Sequence, residues 1–285
     1  MFIADGWKDY EVLDTGDGEK LERWADVVLR RPDPHSIWPK QRPEIWKKAD
    51  AVYTRASGGG GGWDFKRRLP DHWTVAYKGL RFQVHPTGFK HTGLFPEQAA
   101  NWDWMADKIA GAGRPVKVLN LFGYTGAATA ACACAGAHVT HVDAAKGMVQ
   151  WAGENRKLSG IDETKVRWIV DDVLKFVERE QRRGNVYDAL LMDPPSYGRG
   201  PGGEVWKLED ALWGLLAACV RVMSVKPLFF LVNSDTTGLQ SSVIGNMISF
   251  SIGREFGGHV DADELVLPVT SGGVLPFGCS GRWER

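Results

Sequence analysis

Apolar and polar residues alternate in long blocks after residue 115, and each apolar block has the length of a β-strand. These blocks are rich in β-branched residues, and helix-like segments separate them, a pattern typical of buried parallel strands joined by helices. The pattern predicts strands at residues 116–121, 138–143, 166–170, 187–193 and 227–233, and helices at 126–136, 144–160, 171–184 and 205–223. The alternation of strand and helix predicts a doubly wound parallel sheet.

Glycines support the ends of three of these helices. Gly136, Gly160 and Gly184 follow the last predicted turns, where a left-handed residue commonly ends a helix. The last segment, ELVLPVTSGGVLPFGCSGRW (264–283), predicts two strands around a Gly-Gly turn. We therefore predict an α/β fold with a mostly parallel, seven-stranded, doubly wound sheet that closes in a C-terminal β-hairpin.

The first 95 residues have a different pattern, rich in Pro, Trp and turn residues. Short β-like stretches occur at WADVVLR (24–30) and WTVAYKGLRFQVH (73–85). They favour a small β-rich domain. We predict two domains, a β-rich one at residues 1–95 and an α/β one at residues 96–285.

The charge of the chain is balanced overall but uneven along the sequence. The chain of 285 residues has 35 basic and 35 acidic side chains, so its net charge does not indicate binding to nucleic acid. Residues 30–95, however, hold thirteen basic and five acidic residues with interleaved Trp and Tyr. This segment is either a nucleic-acid surface, since cations bind phosphate and rings stack on bases, or a solvated face whose Trp residues pack inside.

Cysteine usage and apolar runs bear on location. No apolar run approaches the roughly 18 residues of a membrane helix, and the start, MFIADGWKDYE, lacks the features of a secretory leader. The four cysteines form no CxxC pair, which predicts reduced, buried thiols: Cys132, Cys134, Cys219 and Cys279. His138 and His141 would face opposite sides of one strand, so we expect no metal site. We predict a cytoplasmic protein without a membrane partner.

Polar residues at the ends of two strands predict a ligand site, because ligands of open α/β sheets bind at the carboxyl ends of the strands. The turn Phe122–Gly126 contains Gly123 and Gly126, which would let the backbone approach a ligand. It is neither GxGxxG nor a P-loop. Asp143 ends the next strand and suits a ribose diol, although it could instead cap the following helix. Together these features indicate an adenosine-containing cofactor.

Two further strand ends carry carboxylates. Asp171 and Asp172 follow residues 166–170, where one can accept from an adenine amine and one can cap a helix. MDPPSYGRG (192–200) follows a buried strand, and its prolines stiffen the chain and leave carbonyls as acceptors. Asp193 adds a carboxylate and Tyr197 a stacking ring. This corner suits a planar, amine-bearing substrate such as a nucleobase, or is simply a proline-stiffened loop.

These stretches carry a resemblance to a known family. NLFGYTGAAT (120–129), HVDAAKGMVQWAGENRKLSG (141–160), VDDVLKF (170–176) and DPPSYGRG (193–200) resemble motifs I to IV of class I S-adenosylmethionine (SAM)-dependent methyltransferases. More narrowly, they are similar to bacterial 23S ribosomal RNA methyltransferases that act on cytosine C5 or guanine N7. HTGLFPEQAANWDWM (91–105) is similar to the segment that opens the catalytic domain of that group.

The resemblance implies a Rossmann-like sheet, SAM as the cofactor and RNA, ribosomal RNA in particular, as the partner. It implies that Asp143 binds the ribose and Asp172 the adenine, and that Gln98 lies near the methyl donor. The turn that would line the methionine part of SAM consists of Phe122, Gly123, Tyr124, Thr125 and Gly126. Those that would face the methyl group and substrate are Asp193, Pro194 and Tyr197.

Two departures from the family narrow the chemistry. Asn120 replaces a frequent acidic residue, so any hydrogen bond to the SAM amino group would come from an amide. Cytosine C5 methylation needs a thiolate that attacks the ring, and family members have a cysteine after the fourth or fifth strand. Here those places hold Ser196 and Asn233-Ser234, and none of the four cysteines lies at either strand end. Methylation of a ring or exocyclic nitrogen by direct displacement is therefore favoured.

Other functions remain open at this point. A SAM-dependent enzyme could act on a small molecule or a protein. An NAD(P)-dependent oxidoreductase shares the sheet and the ribose acid but does not explain DPPSY, and a non-catalytic RNA-binding relative would keep the fold. The sequence leaves the oligomeric state open, a homo-oligomer included.

Overall fold

Strands dominate the first part of the chain, and strands and helices alternate from residue 99 onwards. The computed structural model describes residues 1–56, 60–88, 90–200, 202–236 and 238–285. Its strands are β1 (Phe2–Ile3), β2 (Tyr10–Gly16), β3 (Glu19–Trp24), β4 (Val27–Pro32), β5 (Ala51–Arg55), β6 (Gly61–Phe65), β7 (Trp73–Tyr77), β8 (Leu80–Val84), β9 (Lys117–Leu121), β10 (His138–Asp143), β11 (Val166–Val170), β12 (Ala189–Met192), β13 (Tyr197–Arg199), β14 (Val205–Lys207), β15 (Phe229–Ser234), β16 (His259–Pro268) and β17 (Val274–Glu284).

The helices are concentrated in the second part of the chain. They are α1 (Ala99–Gly111), α2 (Ala127–Cys134), α3 (Lys146–Leu158), α4 (Val173–Arg182), α5 (Leu208–Val220), α6 (Ser241–Ile248) and α7 (Arg254–Phe256), with a π-helical segment at Ser249–Gly253 and 3-10 turns at Pro43–Lys48, Pro96–Gln98 and Glu163–Lys165. No helix in the described ranges combines the length and apolar character that a membrane crossing requires.

The central sheet confirms the predicted fold class. Its strand order is β1-β16-β17-β15-β12-β9-β10-β11, and the five strands from β15 to β11 run parallel while β17 is antiparallel to β15. The described part of the sheet has eight strands where the sequence predicted seven. The additional strand, β1, contributes two residues, too few to produce a recognisable alternation.

Two predicted elements need correction. Residues 205–207 were predicted as the start of a helix but form β14, because Val205 and Trp206 suit a strand that pairs back with β13. Helix α5 begins only at Leu208, and Glu209 and Asp210 follow in its first turn. The stretch 24–30 contains a hairpin turn rather than one strand, since Trp24 ends β3 and Val27 begins β4.

The chain divides into two compact units, and both contain discontinuous pieces. The α/β unit contains Met1–Phe2, Ala100–Leu265 and Gly278–Arg285, and the N-terminal unit contains Ile3–Ala99 and Val266–Phe277. The tip of the β16–β17 hairpin therefore belongs to the N-terminal unit. The domain boundary between residues 95 and 96 stays a prediction.

The core of the α/β unit lies between the parallel sheet and its helices. Leu190 of β12 and Phe230 of β15 pack in one apolar cluster with Phe176 of α4 and Leu215 of α5. Each is fully or almost fully buried, which contributes about 1.5–3 kcal/mol per large apolar side chain. This core fixes the strand ends that carry the candidate site.

The N-terminal unit has a five-stranded sheet in the order β2-β3-β4-β5-β6 and the separate β7–β8 hairpin. Thr270, at the hairpin tip, donates its backbone N–H to the carbonyl of Val12 (2.9 Å), and the Ser271 hydroxyl donates to Asp14 (2.6 Å). The tip thus extends the bonding of β2 within this unit.

A buried ion pair lies in the same sheet. Arg31 of β4 donates two hydrogen bonds to the Glu22 carboxylate of β3 (2.7 and 2.8 Å), Tyr10 donates a third (2.6 Å), and the Lys20 ammonium lies 3.7 Å away. Burial alone would raise the pKa of Glu22, but the Arg31 and Lys20 charges outweigh it and lower that pKa to about 2. Glu22 therefore stays ionised and holds three neighbouring side chains.

Candidate functional site

The turn after β9 has an unusual backbone. Phe122 (φ 55°) and Tyr124 (φ 50°) are left-handed, as is Gly126 (φ 80°). Bulky residues rarely adopt this conformation, and such strain is found mainly where the surroundings enforce it, often at functional sites. Asn155 of α3 donates to the carbonyl of Thr125 (2.8 Å) and holds the turn from behind. The five predicted cofactor residues of this turn are therefore brought together in one fixed loop.

The two glycines of the turn pack closely against neighbouring elements of the α/β unit. A Cβ on Gly123 would collide with the ring of His141, and one on Gly126 would lie 2.6 Å from the Cβ of Ala152. Both glycines thus allow the turn to pack against β10 and α3. That these glycines also let the backbone approach a ligand stays a prediction.

Asp143 ties the end of β10 to this turn. Its carboxylate accepts the backbone N–H groups of Tyr124 and Ala145, both at 2.8 Å. Burial raises the pKa of Asp143, and the two N–H groups partly oppose that rise. A carboxylate offers about four lone-pair sites, so two remain for a diol. The first helical residue is Lys146, and no side chain caps α3, so the alternative role of Asp143 as its cap does not hold.

Asn120 lies behind the turn in a buried polar cluster. Its amide nitrogen donates to the Thr129 hydroxyl (2.8 Å), which lies 2.9 Å from Nδ1 of His141. Burial lowers the pKa of His141 to about 3, so the ring is neutral. Because its amide nitrogen is already bonded to Thr129, a contact of Asn120 with the SAM amino group stays a prediction that requires the amide oxygen.

The two acidic residues after β11 have separate bonds. Asp172 caps α4 by accepting the backbone N–H of Lys175 (2.9 Å), and Asp171 forms an ion pair with Arg179. The backbone N–H of Asp171 donates to the carbonyl of Asp143 (3.1 Å), which links this strand end to the previous one. The adenine contact of Asp172 stays a prediction and would use its other carboxylate oxygen.

Asp193 follows β12 directly and has no cation beside it among the described residues. The Asn233 amide of β15 donates to it (2.8 Å). Burial and the charge of Asp235 nevertheless raise the pKa of Asp193 to about 6, against the effect of that hydrogen bond. Pro194 is buried and Tyr197 is 54% exposed. A carboxyl group with such a pKa can accept a proton near neutral pH.

Behind Asp193, four side chains form a relay of hydrogen bonds. Arg282 donates to the Asn101 carbonyl oxygen (2.8 Å), Asn101 to the Ser280 hydroxyl (2.9 Å), and Ser280 to the Asn233 carbonyl oxygen (2.6 Å). Burial lowers the pKa of Arg282 to about 10, so the guanidinium is still charged. Every donor points toward Asp193. Sequence reasoning missed this relay, since the Asn101–Ser280 contact joins residues 179 positions apart.

Trp206 is a second residue that the sequence did not indicate. Its indole N–H donates to the carbonyl of Pro195 (2.6 Å), and its ring lies 5.0 Å from that of Phe122. Trp206 therefore braces the strand end of Asp193 against the turn after β9. The Pro195 carbonyl, expected to be available to a substrate, is already an acceptor for Trp206.

The register of β15 and β17 corrects the prediction about cysteines. Cys279 lies opposite Ser234, at the carboxyl end of β15, although it is distant in sequence. It is buried, and burial together with Asp235 and Glu264 raises its pKa to about 11, which keeps the thiol protonated. Cys132 and Cys219 are also buried with raised pKa values, whereas Cys134 is exposed rather than buried as predicted.

Gln98 lies in the 3-10 turn Pro96–Gln98, which belongs to the N-terminal unit, and its contact with a methyl donor stays a prediction. Within the described ranges, no group of three or more His, Cys, Asp and Glu side chains could hold a metal ion.

Comparisons with known proteins identify relatives of the whole chain. The family model for S-adenosylmethionine-dependent methyltransferases matches residues 62–210. A crystal structure of a SAM-dependent methyltransferase from Agrobacterium tumefaciens is 39% identical, with a TM-score of 0.94 over 99% of this chain and 92% of that chain.

Curated relatives are named for a nucleic-acid substrate. Ribosomal RNA large subunit methyltransferase K of Neisseria meningitidis is 25% identical over 262 residues, 87% of this chain and 68% of that protein. Ribosomal RNA large subunit methyltransferase K/L of Shewanella frigidimarina is 30% identical over 148 residues, 51% of this chain. The chain spans only 20% of the length of this second relative.

Proposed function

Since the chain belongs to the S-adenosylmethionine-dependent methyltransferase family, we propose that it methylates a nitrogen of a ribosomal RNA nucleobase by direct displacement. That it is a SAM-dependent methyltransferase follows from the family. The RNA substrate is supported by the curated relatives, and the nitrogen by the geometry around Asp193.

The residues of the site fit the cofactor. The strained turn Phe122–Gly126 and the two lone pairs left on Asp143 offer a rigid backbone and an acceptor for ribose hydroxyls. Asp172, at the next strand end, would contact the adenine through the carboxylate oxygen that does not cap α4. When bound, SAM supplies an electrophilic methyl carbon on a sulfonium sulfur. The protein's part is then to align a nucleophile and to accept its proton.

The observation that carries the nitrogen assignment is the part-buried carboxylate of Asp193, which accepts from Asn233 and has no cation beside it among the described residues. A nucleobase nitrogen has its own lone pair, so it forms the new N–C bond as the C–S bond breaks. Where the reacting nitrogen carries a hydrogen, Asp193, fixed by Asn233, accepts its hydrogen bond and then its proton, which passes to water; where it carries none, the Asp193 carboxylate stabilises the positive charge that develops on the base. Its pKa of about 6 suits this exchange near neutral pH.

Cytosine C5 chemistry lacks its nucleophile in this site. It requires a thiolate, and Cys279, although at the end of β15, is buried and protonated. The positions at which a cysteine would be expected hold Ser196 and Asn233. The Ser196 hydroxyl forms a hydrogen bond with that of Thr236 (2.7 Å), and Asn233 donates to Asp193.

The test uses ribosomal RNA of the large subunit, transcribed without modifications, and SAM labelled on its methyl group. We expect label in the RNA, mapped by nuclease digestion and mass spectrometry to a ring or exocyclic nitrogen. Cys279→Ala should transfer methyl as well as the wild type, whereas Asp193→Ala should bind RNA but transfer little.

Other outcomes would contradict the proposal. Label at cytosine C5 that disappears in Cys279→Ala would overturn the nitrogen assignment. RNA that binds but never accepts methyl from the wild type would favour a non-catalytic binder, and label only in a protein or small molecule would overturn the RNA substrate. Calorimetric titration with SAM and with NAD checks the cofactor independently, and tighter binding of NAD would contradict it.

A further inference from the structure

The β13–β14 hairpin has two faces with different chemistry. It forms its own two-stranded sheet, with Tyr197 opposite Lys207, Gly198 opposite Trp206 and Arg199 opposite Val205. Because side chains alternate along a strand, Gly198 and Trp206 share one face. Trp206 contacts Pro195 and Phe122, so this is the face toward the candidate site.

The outer face of the hairpin carries Tyr197, Arg199, Val205 and Lys207, and all four are exposed. More than half of the surface of Tyr197 (54%) and of Val205 (56%) is exposed. Exposed apolar residues beside cations are the combination that single-stranded nucleic acids bind, since rings stack on bases and cations contact phosphates. The outer face begins four residues after Asp193.

The charge of this face is not neutralised within the described part of the chain. Glu204, the acidic residue of the hairpin, forms its ion pair with Lys175 of α4. Glu209 and Asp210 begin α5, but neither forms an ion pair with Arg199 or Lys207. These two cations occupy diagonal positions of the antiparallel pair, where residues typically lie about 7–8 Å apart, so each can contact a different phosphate.

We propose that the outer face of the hairpin binds the single-stranded RNA that flanks the target nucleobase, with Tyr197 stacking on a base and Arg199 and Lys207 contacting phosphates. This inference rests on the proposed function and extends it from the reacting base to its neighbours. Trp206 anchors the hairpin to both sides of the site, so RNA bound on the outer face is held beside Asp193.

The first experiment measures binding of the unmodified ribosomal RNA by filter retention as a function of salt. For a single strand, each phosphate contact makes the binding constant fall with salt concentration to a power of about 0.7. Loss of two contacts in the double variant Arg199→Gln/Lys207→Gln should therefore weaken binding about 25-fold at 0.1 M salt. The slope of log affinity against log salt should shrink by about 1.4. Affinity for SAM should not change.

A matched control removes the same charge elsewhere in the α/β unit. Lys226→Gln/Arg254→Gln changes two exposed cations that have no ion pair in the described ranges, and it should bind RNA within twofold of the wild type. Tyr197→Ala should weaken RNA binding by about 5- to 150-fold, whereas Tyr197→Phe, which keeps the ring, should retain it.

The outcomes separate the two proposals. If the wild type methylates ribosomal RNA but the hairpin double variant matches the control in affinity and salt slope, this inference is wrong and the proposed function stands. If the wild type neither binds nor methylates that RNA, the proposed function fails, and the inference fails with it. Methylation of a protein that depends on Arg199 and Lys207 would also overturn the RNA assignment.

Discussion

Two carboxylates, the buried Glu22 in the N-terminal unit and the part-buried Asp193 in the α/β unit, have pKa values displaced in opposite directions. Glu22 is fully buried, yet Arg31 and Lys20 hold its pKa near 2. Asp193 has an amide donor and a nearby like charge, Asp235, and its pKa rises to about 6. Burial acts in the same direction on both, so the neighbours decide the sign.

The contrast distinguishes a structural acid from a chemical one. Glu22 has hydrogen bonds from Tyr10 and Arg31 that satisfy its oxygens, so it has little capacity left for a substrate. The pKa of Asp193 is raised, so its ionised form destabilises the native state. The same raised pKa suits proton transfer. The same substitution, carboxylate to amide, should therefore have opposite consequences at the two sites.

The largest effect is expected for Asp193→Asn. It removes the proton acceptor but keeps the shape, so kcat for methyl transfer should fall by about 10²- to 10⁴-fold. The free energy of unfolding should stay the same or increase at pH 7, because a raised pKa means that ionised Asp193 disfavours the native state. Single-turnover rates and urea unfolding measure the two quantities. Unchanged kcat would remove Asp193 from the mechanism.

Glu22→Gln should change stability instead of catalysis. The amide leaves the buried Arg31 guanidinium without its carboxylate partner, while Lys20 keeps its ion pair with Asp33 (3.2 Å), and the loss at Arg31 costs about 3–5 kcal/mol of unfolding free energy. Urea unfolding followed by hydrogen exchange of β2–β4 measures the loss. Single-turnover transfer by the fraction that stays folded should be close to wild type, and stability unaffected by the substitution would contradict the assigned role of the pair.

Activity and stability should depend on pH in different ranges, because the first follows Asp193 and the second follows Glu22. Asp193 acts in its deprotonated form, so kcat/KM should increase with pH up to about 6 and level off above it, with about a tenfold loss per unit at lower pH. The lowered pKa of Glu22 contributes stability that is complete above about 4.5 and is lost as pH falls toward 2. Activity should therefore disappear in acid before the N-terminal unit unfolds, and Asp193→Asn should flatten the rate profile.

The smallest effect is expected for Ser280→Ala, which interrupts the relay behind Asp193. Loss of the hydrogen bonds that Ser280 accepts from Asn101 and donates to Asn233 should lower kcat by about 2- to 10-fold and move the midpoint of the pH profile upward by less than about one unit. Ser234→Ala is a matched control, because this buried hydroxyl accepts from Thr236 rather than joining the relay. An equal effect of both variants on the pH profile would assign Ser280 a merely structural role.

Local pattern was sufficient for much of the α/β unit. The β-branched runs gave β9, β10 and β11 to within a residue, because buried parallel strands have continuous apolar sequences. The strand ends that carry Asp143, Asp172 and Asp193 followed from the same pattern. The bounds of α5 did not, since Val205–Lys207 pairs with a strand on the far side of a glycine-rich turn.

Long-range register accounts for what the sequence could not provide. Cys279 lies at the end of β15 only because β17 runs antiparallel to it, and Ser280 meets Asn233 for the same reason. The Arg282 relay likewise joins α1 to the last strand. No local spacing encodes such contacts, because they depend on which strands become neighbours in the folded sheet.

The β16–β17 tip has a consequence for the order of synthesis. Val266–Phe277 follows Ala99 by about 170 residues, which a ribosome takes roughly 10–30 s to add at 5–20 residues per second. During that interval Val12 and Asp14 lack the hydrogen bonds that Thr270 and Ser271 later supply. The N-terminal unit is thus completed only after residues 100–265 of the α/β unit have been made, so nascent chains arrested before residue 266 should be more sensitive to protease in β2 than those arrested after residue 277.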